Sequence, residues 1–201
     1  MDLVANVVAA LHAKRKLLPR GECYSNEANL SELISIVVSA VTTHMNSKKG
    51  ASEPKFIYCK EDVSLSKVRP DYTIKTFGRQ ETSPKPVFVL EAKKIDESRA
   101  LKEHLPQLFD YLRRLCLNHR YTHLCGVLTN YKSWIFVRYD LTAEVEAVRS
   151  RRVSHDDPVA ARFEVCAETT ILNKMNNLLS EAELARVILQ IELCCEVLSP
   201  S

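Results

Sequence analysis

Two side chains of opposite charge close an apolar segment of the chain, PVFVLEAKK at residues 86–94. An apolar run of this length is typical of a buried β-strand, in which successive side chains alternate between two faces. Glu91 and Lys93 would then share a face with Val87 and Val89, and would lie about 7 Å apart along the strand. A carboxylate and an ammonium at the exit of a buried strand could together bind a cation and activate a water molecule.

A second carboxylate, Asp71, follows Pro70 and precedes another strand-like segment, residues 72–77. If this strand pairs antiparallel with the first, Asp71 would lie beside Glu91 and Lys93. Two neighbouring carboxylates raise each other's pKa unless a cation lies between them, and such oxygen ligands suit Mg²⁺ or Mn²⁺. A bound metal lowers the pKa of water, and Lys93 could orient or deprotonate that water. The pattern therefore indicates metal-dependent hydrolysis of a phosphodiester.

The spacing of these residues resembles that of the PD-(D/E)xK nuclease superfamily. Pro70-Asp71 is followed, after 19 intervening residues, by Glu91-Ala92-Lys93. Gln107 and Tyr111 resemble the QxxxY motif of RecB-like nucleases. The run GVLTNYKSWIFVRYD resembles a strand pair in the N-terminal nuclease domains of type I restriction subunits.

The resemblance covers roughly residues 25–140 and implies a restriction-endonuclease-like αβββαβ core. It also implies a metal-dependent, (endo)deoxyribonuclease-like phosphodiesterase with Mg²⁺ as cofactor and Mn²⁺ as an alternative, and it leaves open whether the enzyme cuts internally or at ends. Asp71 and Glu91 would be the metal ligands, and Lys93 would position the attacking water. Gln107 would orient either Lys93 or the substrate strand.

The superfamily often adds an acid from the helix that precedes the sheet, and Glu27 and Glu32 are the two candidates. Glu32 lies nearly opposite the apolar face of this helix, whereas Glu27 lies roughly 50° from the centre of that face. The apolar face is formed by Leu30, Leu33, Ile34, Val37 and Val41. Glu27 is therefore the preferred third metal ligand, either directly or through a water. The alternative is an acid that only stabilises the helix N-terminus.

Simpler interpretations exist for each of these motifs. Glu91 and Lys93 could be a surface ion pair, which contributes little to stability. Gln107 and Tyr111 could be a surface pair on a helix. A second [DE]xK triplet, Glu53-Pro54-Lys55, lies in a predicted loop without an upstream Pro-Asp and is interpreted as a chance match.

The predicted elements place these residues on a mixed sheet. The predicted helices cover residues 3–17, 26–44, 98–118 and 181–198, and the predicted strands cover 56–61, 72–77, 86–92, 123–129 and 133–139. Residues 144–167 contain strand-like fragments, and their pattern does not decide between strand and loop. The order of helix, three strands, helix and strands predicts an α/β fold with helices on both faces of the sheet. We expect one domain over residues 1–201, with accessory helices at 1–20 and 180–198.

The composition allows a nucleic-acid partner without demanding one. The chain is 46% hydrophobic, which predicts a folded core, and its net charge of +3 makes it only mildly basic. Short basic clusters are interpreted as solvated surface more readily than as a phosphate track. They lie at residues 14–16, 48–49, 113–114 and 149–152. No glycine-rich phosphate-binding motif is present, so nucleotide binding has no support.

Seven cysteines without a CxxC pair argue against a zinc site and for thiols in the core. This usage fits a reducing intracellular compartment, the cytoplasm or the nucleus. The first 21 residues predict an amphipathic helix rather than a signal peptide, and no apolar run is long enough to span a membrane.

The leading hypothesis is a nuclease acting on nucleic acid, with DNA preferred over RNA. The first alternative is a non-catalytic nucleic-acid-binding module that keeps the nuclease fold. The second is a protein-interaction module that docks through the helix carrying Cys194 and Cys195. A homodimer, or a component of a larger assembly, is compatible with each.

Overall fold

The computed structural model describes residues 2–17, 27–60, 70–77, 83–94, 98–143, 163–172 and 179–196. The helices are α1 (Leu3–Leu17), α2 (Glu27–Lys48), α3 (Ser98–Lys102), α4 (Leu105–His119) and α5 (Glu181–Glu196). The strands are β1 (Lys55–Lys60), β2 (Tyr72–Phe77), β3 (Lys85–Ala92), β4 (His123–Thr129), β5 (Ser133–Asp140) and β6 (Phe163–Thr170).

The strands form one six-stranded sheet in the order β1-β2-β3-β4-β5-β6. Neighbouring strands are antiparallel, except that β3 and β4 are parallel. Parallel neighbours require a crossover connection, which α3 and α4 supply. The predicted mixed sheet and the predicted order of helix, three strands, helix and strands are confirmed.

Helices cover both faces of the sheet, as the sequence predicts. The α4 leucines Leu108, Leu112 and Leu115 pack on one face of β3, β4 and β5. Helices α1, α2 and α5 pack on the opposite face and contribute to a second apolar cluster with the same strands. The two helices that were predicted to be accessory therefore contribute side chains to the core.

Two tyrosines fasten α2 to the sheet. Tyr58 of β1 donates a hydrogen bond to Ser35 Oγ at 2.8 Å, and Tyr72 of β2 donates one to the carbonyl of Ser31 at 2.9 Å. Their rings stack with centroids 6.0 Å apart. These contacts hold the first turns of α2 over the start of β2, where Asp71 lies.

Helix α2 continues four residues beyond its predicted end at residue 44. Met45 is buried, so the additional turn extends the packed face. The Asn46 side chain accepts a hydrogen bond from the Phe56 amide at 2.7 Å and donates one to the Phe56 carbonyl at 2.8 Å. A residue interpreted as part of a loop therefore joins α2 to β1.

The helix predicted over residues 98–118 is wrong as a single helix, because it breaks at Glu103 and His104 into α3 and α4. Pro106 explains the break. Proline has no amide proton, and its ring would clash with the carbonyl of Lys102 if the helix were continuous. Pro106 instead occupies the first turn of α4, where a missing N–H is tolerated.

The predicted alternation along β3 fails at Val87. The β2–β3 register shifts at this point, so that Ile74 pairs with Phe88 and Lys75 with Pro86. The extra residue is a β-bulge, and it turns Val87 into the same cluster as Phe88, away from Val89. Beyond the bulge the alternation is regular, so Val89 and Glu91 share a face as predicted.

Cys194 and Cys195 cannot form a docking face, because they are only 7% and 0% exposed. They pack in the core one helical turn after Ile191. The last predicted helix turns its main apolar face inward, but Leu189 and Leu193 are 52% and 45% exposed on its outer face, so docking through this helix stays a prediction.

Most other predictions about single residues hold in the part of the chain that the structure describes. Four of the six cysteines there are buried thiols, whereas Cys59 is half-buried and Cys166 is exposed. Trp134 and Tyr139 are fully buried in the core. Strand β6 begins inside the ambiguous region, whose residues 144–162 lie outside the described part. No described helix has the length and apolar character needed to cross a bilayer.

Gly126 allows α4 to lie close to β4. A Cβ atom at this position would lie 3.1 Å from side-chain atoms of Leu108 and Leu112 and 3.1 Å from the Val89 carbonyl oxygen. The carbonyl belongs to a paired strand and cannot move aside. We expect Gly126→Ala to lower the free energy of unfolding by about 1–3 kcal/mol, as overpacking does, in urea denaturation.

Gly50→Ala is the matched control for this substitution. Its Cβ would also have a neighbour at 3.1 Å, but that neighbour is the exposed, flexible end of Glu53. Its effect should stay within about 0.5 kcal/mol. Equal losses in the two variants would contradict the close approach of α4 to β4.

Candidate functional site

The β2–β3 ladder brings Asp71 beside Glu91. Tyr72 pairs with Leu90 in the antiparallel register, so the preceding Asp71 lies opposite the following Glu91. Asp71 Oδ2 accepts a hydrogen bond from the amide of Ala92 at 2.7 Å. The predicted meeting of the start of one strand with the end of the other is confirmed.

The two oxygens of Glu91 have different surroundings. Oε1 accepts hydrogen bonds from Lys93 Nζ at 2.6 Å and from Gln107 Nε2 at 2.8 Å. Oε2 is buried and has no hydrogen-bond partner. Since a buried carboxylate oxygen is normally satisfied, this atom is available to a ligand.

The pKa of Glu91 is raised above its usual range. Burial, which leaves the residue 2% exposed, is the main cause, and the neighbouring negative charge of Asp71 adds to it. The hydrogen bond and the charge of Lys93 act in the opposite direction and lower the pKa, as does a hydrogen bond from the Asp71 backbone. These contacts do not fully offset the cost of ionising Glu91, and a cation at Oε2 would add to the compensation.

Helix α4 delivers Gln107 to the site from its first turn. Gln107 Nε2 also donates to the hydroxyl of Tyr111 at 2.8 Å, one helical turn later. Both amide protons are therefore used, and Tyr111 fixes the direction of the one that reaches Glu91. Gln107 and Tyr111 are not merely a surface pair, because Gln107 joins them to the acidic centre formed by Asp71 and Glu91.

The backbone of Lys93 is held by β4. Its amide donates to the carbonyl of Thr129 at 2.8 Å, which continues the parallel β3–β4 ladder one step beyond Ala92. This bond keeps the strand alternation through the end of β3. The Lys93 side chain, which is 22% exposed, therefore stays on the face of Glu91 and α4.

The two candidate helix acids differ in what the structure describes. Helix α2 begins at Glu27, whose side chain lies outside the described part, while the next residue, Ala28, lines a cavity together with Asp71. The Glu32 carboxylate forms an ion pair with Lys14 of α1. Glu32 is thus engaged at the α1–α2 contact rather than at the acidic centre, and Glu27 stays a prediction.

The second [DE]xK triplet does not form a site. The Glu53 carboxylate accepts a hydrogen bond from the amide of Gly50 at 3.1 Å. Lys55 donates to the carbonyls of Asn46 and Lys49 at 3.3 and 2.9 Å. Both side chains of this triplet therefore satisfy the local backbone.

Basic side chains in the predicted clusters also take part in ion pairs within the chain. Lys48 lies 3.2 Å from Glu192 of α5, and Arg114 lies 2.8 Å from Asp110 of α4. Residues 149–152 lie outside the described part. The interpretation as solvated surface suits Lys48 and Arg114.

A cavity of about 330 Å³ opens beside Asp71 on the α2 face of the sheet. It is lined by Ala28, Leu30, Ser31, Lys60, Asp71, Tyr72, Ala92 and Lys94. Sequence reasoning did not single out Lys60 or Lys94. The available signal was the doublet Lys93-Lys94, because alternation must send its two side chains to opposite faces.

The donor set suits a hard cation. Carboxylate oxygens favour Mg²⁺ or Mn²⁺, which keep several waters and need few protein ligands. Among the described residues no group of three His, Cys, Asp or Glu side chains forms a metal cluster, so Asp71 and Glu91 are the two candidate ligands there. The partnerless Oε2 of Glu91 is the observation that fits a cation to this place.

No known protein family matches the chain, and no protein of curated function matches its sequence. One solved structure is similar: that of the type IIG restriction endonuclease BpuSI. The TM-score is 0.54 at 11% sequence identity, and the match covers 85% of this chain. The chain corresponds to 17% of the length of that enzyme. The similarity establishes a restriction-endonuclease-like fold.

Proposed function

We propose that the protein is a metal-dependent nuclease of the PD-(D/E)xK type that hydrolyses phosphodiester bonds in DNA. The observation that carries the proposal is the state of Glu91. Its Oε1 is held by Lys93 and Gln107, while its buried Oε2 has no hydrogen-bond partner among the described residues. Because buried carboxylate oxygens are normally satisfied, the unsatisfied Oε2 favours a ligand over a purely structural ion pair.

Each side chain has a distinct part in the proposed reaction. Asp71 and Glu91 would hold Mg²⁺ or Mn²⁺, with Glu27 as a further ligand, directly or through water. The bound metal would lower the pKa of a water and stabilise negative charge on the phosphoryl oxygens. Lys93 would orient that water and offset charge on the phosphate. Gln107, fixed by Tyr111, would keep the Glu91 carboxylate in one orientation.

DNA is the substrate that the fold favours. The similar solved structure is that of a restriction endonuclease, and the match covers 85% of this chain. One fold can host several functions, so the similarity in fold supports DNA by analogy. The main support for the proposed nuclease is the arrangement of Asp71, Glu91 and Lys93.

A non-catalytic nucleic-acid-binding module is the second candidate. The observation in its favour is that the described residues supply only two carboxylates to the centre, without a third ligand. A module of this kind would bind DNA by phosphate contacts and would need no metal.

The test is cleavage of linear DNA, circular DNA and RNA by the full chain with Mg²⁺, with Mn²⁺ and with EDTA. We expect cleavage of DNA that requires the metal and stops in EDTA. Cleavage of the circular substrate would identify an endonuclease. If no substrate is cut and calorimetry detects no Mn²⁺ binding, the nuclease proposal fails and the binding module replaces it.

A further inference from the structure

Two lysines line the cavity on the α2 face, and no carboxylate in the described part of the chain is paired with either of them. Lys60 ends β1 and Lys94 follows β3 by two residues, and both are exposed. Neither forms an ion pair with any residue that the structure describes. They differ in this respect from Lys14, Lys48 and Lys93, which are paired with glutamates.

The cavity and the acidic centre share Asp71. Asp71 reaches across to the Ala92 amide, and Ala92 lines the cavity while Glu91 points to the opposite face. Lys93 therefore serves the carboxylates on the α4 side, whereas Lys94 faces the cavity on the α2 side. The two lysines therefore lie at a cavity that adjoins the carboxylates through Asp71 and Ala92.

We propose that this cavity is a phosphate subsite, in which Lys60 and Lys94 bind the phosphate of the nucleotide next to the scissile bond. The inference rests on the proposed function, because it places the scissile phosphate at Asp71 and Glu91. Its ligand class is the phosphate of a nucleic-acid strand. Two ammonium groups at one cavity suit this ligand, since lysine binds phosphate as a point charge.

The test is DNA binding by the full chain in EDTA, measured by fluorescence anisotropy with a labelled oligonucleotide between about 50 and 200 mM salt. The variants are Lys60→Ala, Lys94→Ala and the double variant. Each lysine that neutralises a phosphate adds about 0.7–0.9 to the slope of log affinity against log salt. The double variant should therefore lose about 1.4–1.8 of that slope and bind more weakly at the lowest salt.

Lys16→Ala is the matched control. Lys16 is an exposed lysine of α1 that does not line the cavity and has no ion pair within the described residues. Its affinity and salt slope should equal those of the wild type. Equal losses in Lys16→Ala and Lys60→Ala would indicate diffuse surface attraction and would overturn the subsite.

A double variant with the wild-type affinity and slope would overturn the subsite, as would a wild type that binds no DNA. Calorimetric titration of the same variants with Mn²⁺ keeps this failure separate from failure of the proposed function. Mn²⁺ binding depends on Asp71 and Glu91 and should be unchanged in the lysine variants. Loss of DNA binding with intact Mn²⁺ binding supports the subsite.

Discussion

Lys93→Ala is expected to slow metal-dependent DNA cleavage by roughly 10²–10⁴-fold, the usual contribution of a positioned proton-transfer group. The ammonium lies 2.6 Å from Glu91 Oε1 and is partly exposed, so its removal takes away one polar contact without opening a cavity in the core. The variant should therefore fold. The loss should appear in kcat, measured under single-turnover conditions.

Two companion variants separate the roles of the lysine doublet. Lys94→Ala should weaken substrate binding and raise KM, because its side chain faces the cavity rather than Glu91. Lys93→Arg keeps the positive charge but cannot be deprotonated. Recovery of activity in Lys93→Arg would assign an electrostatic role, and continued inactivity would assign proton transfer. A wild-type kcat in Lys93→Ala would remove Lys93 from the mechanism.

One indirect effect must be excluded in this experiment. Lys93 lowers the pKa of Glu91, so its loss should raise that pKa further and weaken metal binding at neutral pH. Raising the pH favours the ionised form of Glu91 in both proteins. A defect that persists in Lys93→Ala at alkaline pH, with saturating Mn²⁺, therefore belongs to the reaction step.

The meeting of Asp71 and Glu91 could be predicted because it depends on chain direction alone. Once two strands pair antiparallel, the start of one lies beside the end of the other, whatever occupies the connection. The α4 leucines likewise fix a helical face by their spacing. Features of this kind follow from local periodicity, and periodicity is visible in one sequence.

Other features of the structure could not be predicted, because they depend on interactions that the periodicity of the sequence does not show. The bulge at Val87 shifts a register by one residue, and no single residue type marks it. Pro106 indicated a break in the predicted helix. The leucine spacing favoured one continuous helix instead, because the same apolar face continues across the break. The subsite of Lys60 and Lys94 arises only when the ends of β1 and β3 approach one cavity, a long-range relation that spacing does not reveal.

Glu91→Gln is expected to abolish cleavage and to lower Mn²⁺ affinity by more than roughly 10–100-fold, the loss usual for groups that only support a metal ligand. The amide oxygen can still accept the hydrogen bonds from Lys93 and Gln107, so the fold should be retained. The negative charge and the partnerless oxygen are lost. Calorimetry with Mn²⁺ measures this effect directly.

Glu53→Gln is the matched control for the metal measurement. Glu53 belongs to the second [DE]xK triplet, is exposed and accepts a local hydrogen bond from the Gly50 amide. Its replacement should leave Mn²⁺ affinity and cleavage at wild-type levels. Mn²⁺ binding that survives in Glu91→Gln, or that falls equally in Glu53→Gln, would contradict a metal centre at the end of β3.

The same substitution should change how stability depends on pH in EDTA. Because the pKa of Glu91 is raised in the folded chain, the folded state holds this proton more tightly than the unfolded state. The contribution of Glu91 to stability is therefore fully present below the unfolded pKa of about 4.3 and is lost as pH rises through the folded pKa. Glutamine carries no such proton, so Glu91→Gln should lack this loss and be more stable than the wild type at neutral pH.

Urea denaturation of both proteins in EDTA, from about pH 4 to pH 8, measures the difference in the free energy of unfolding. Adding saturating Mn²⁺ should reverse the order at neutral pH, because the ion binds only the wild-type folded state with high affinity. If position 91 contributed only to stability, glutamine would give the higher free energy of unfolding at neutral pH. Metal-free wild type that is the less stable protein, and Mn²⁺-loaded wild type that is the more stable one, would together mean that the buried charge of Glu91 is kept for the cation.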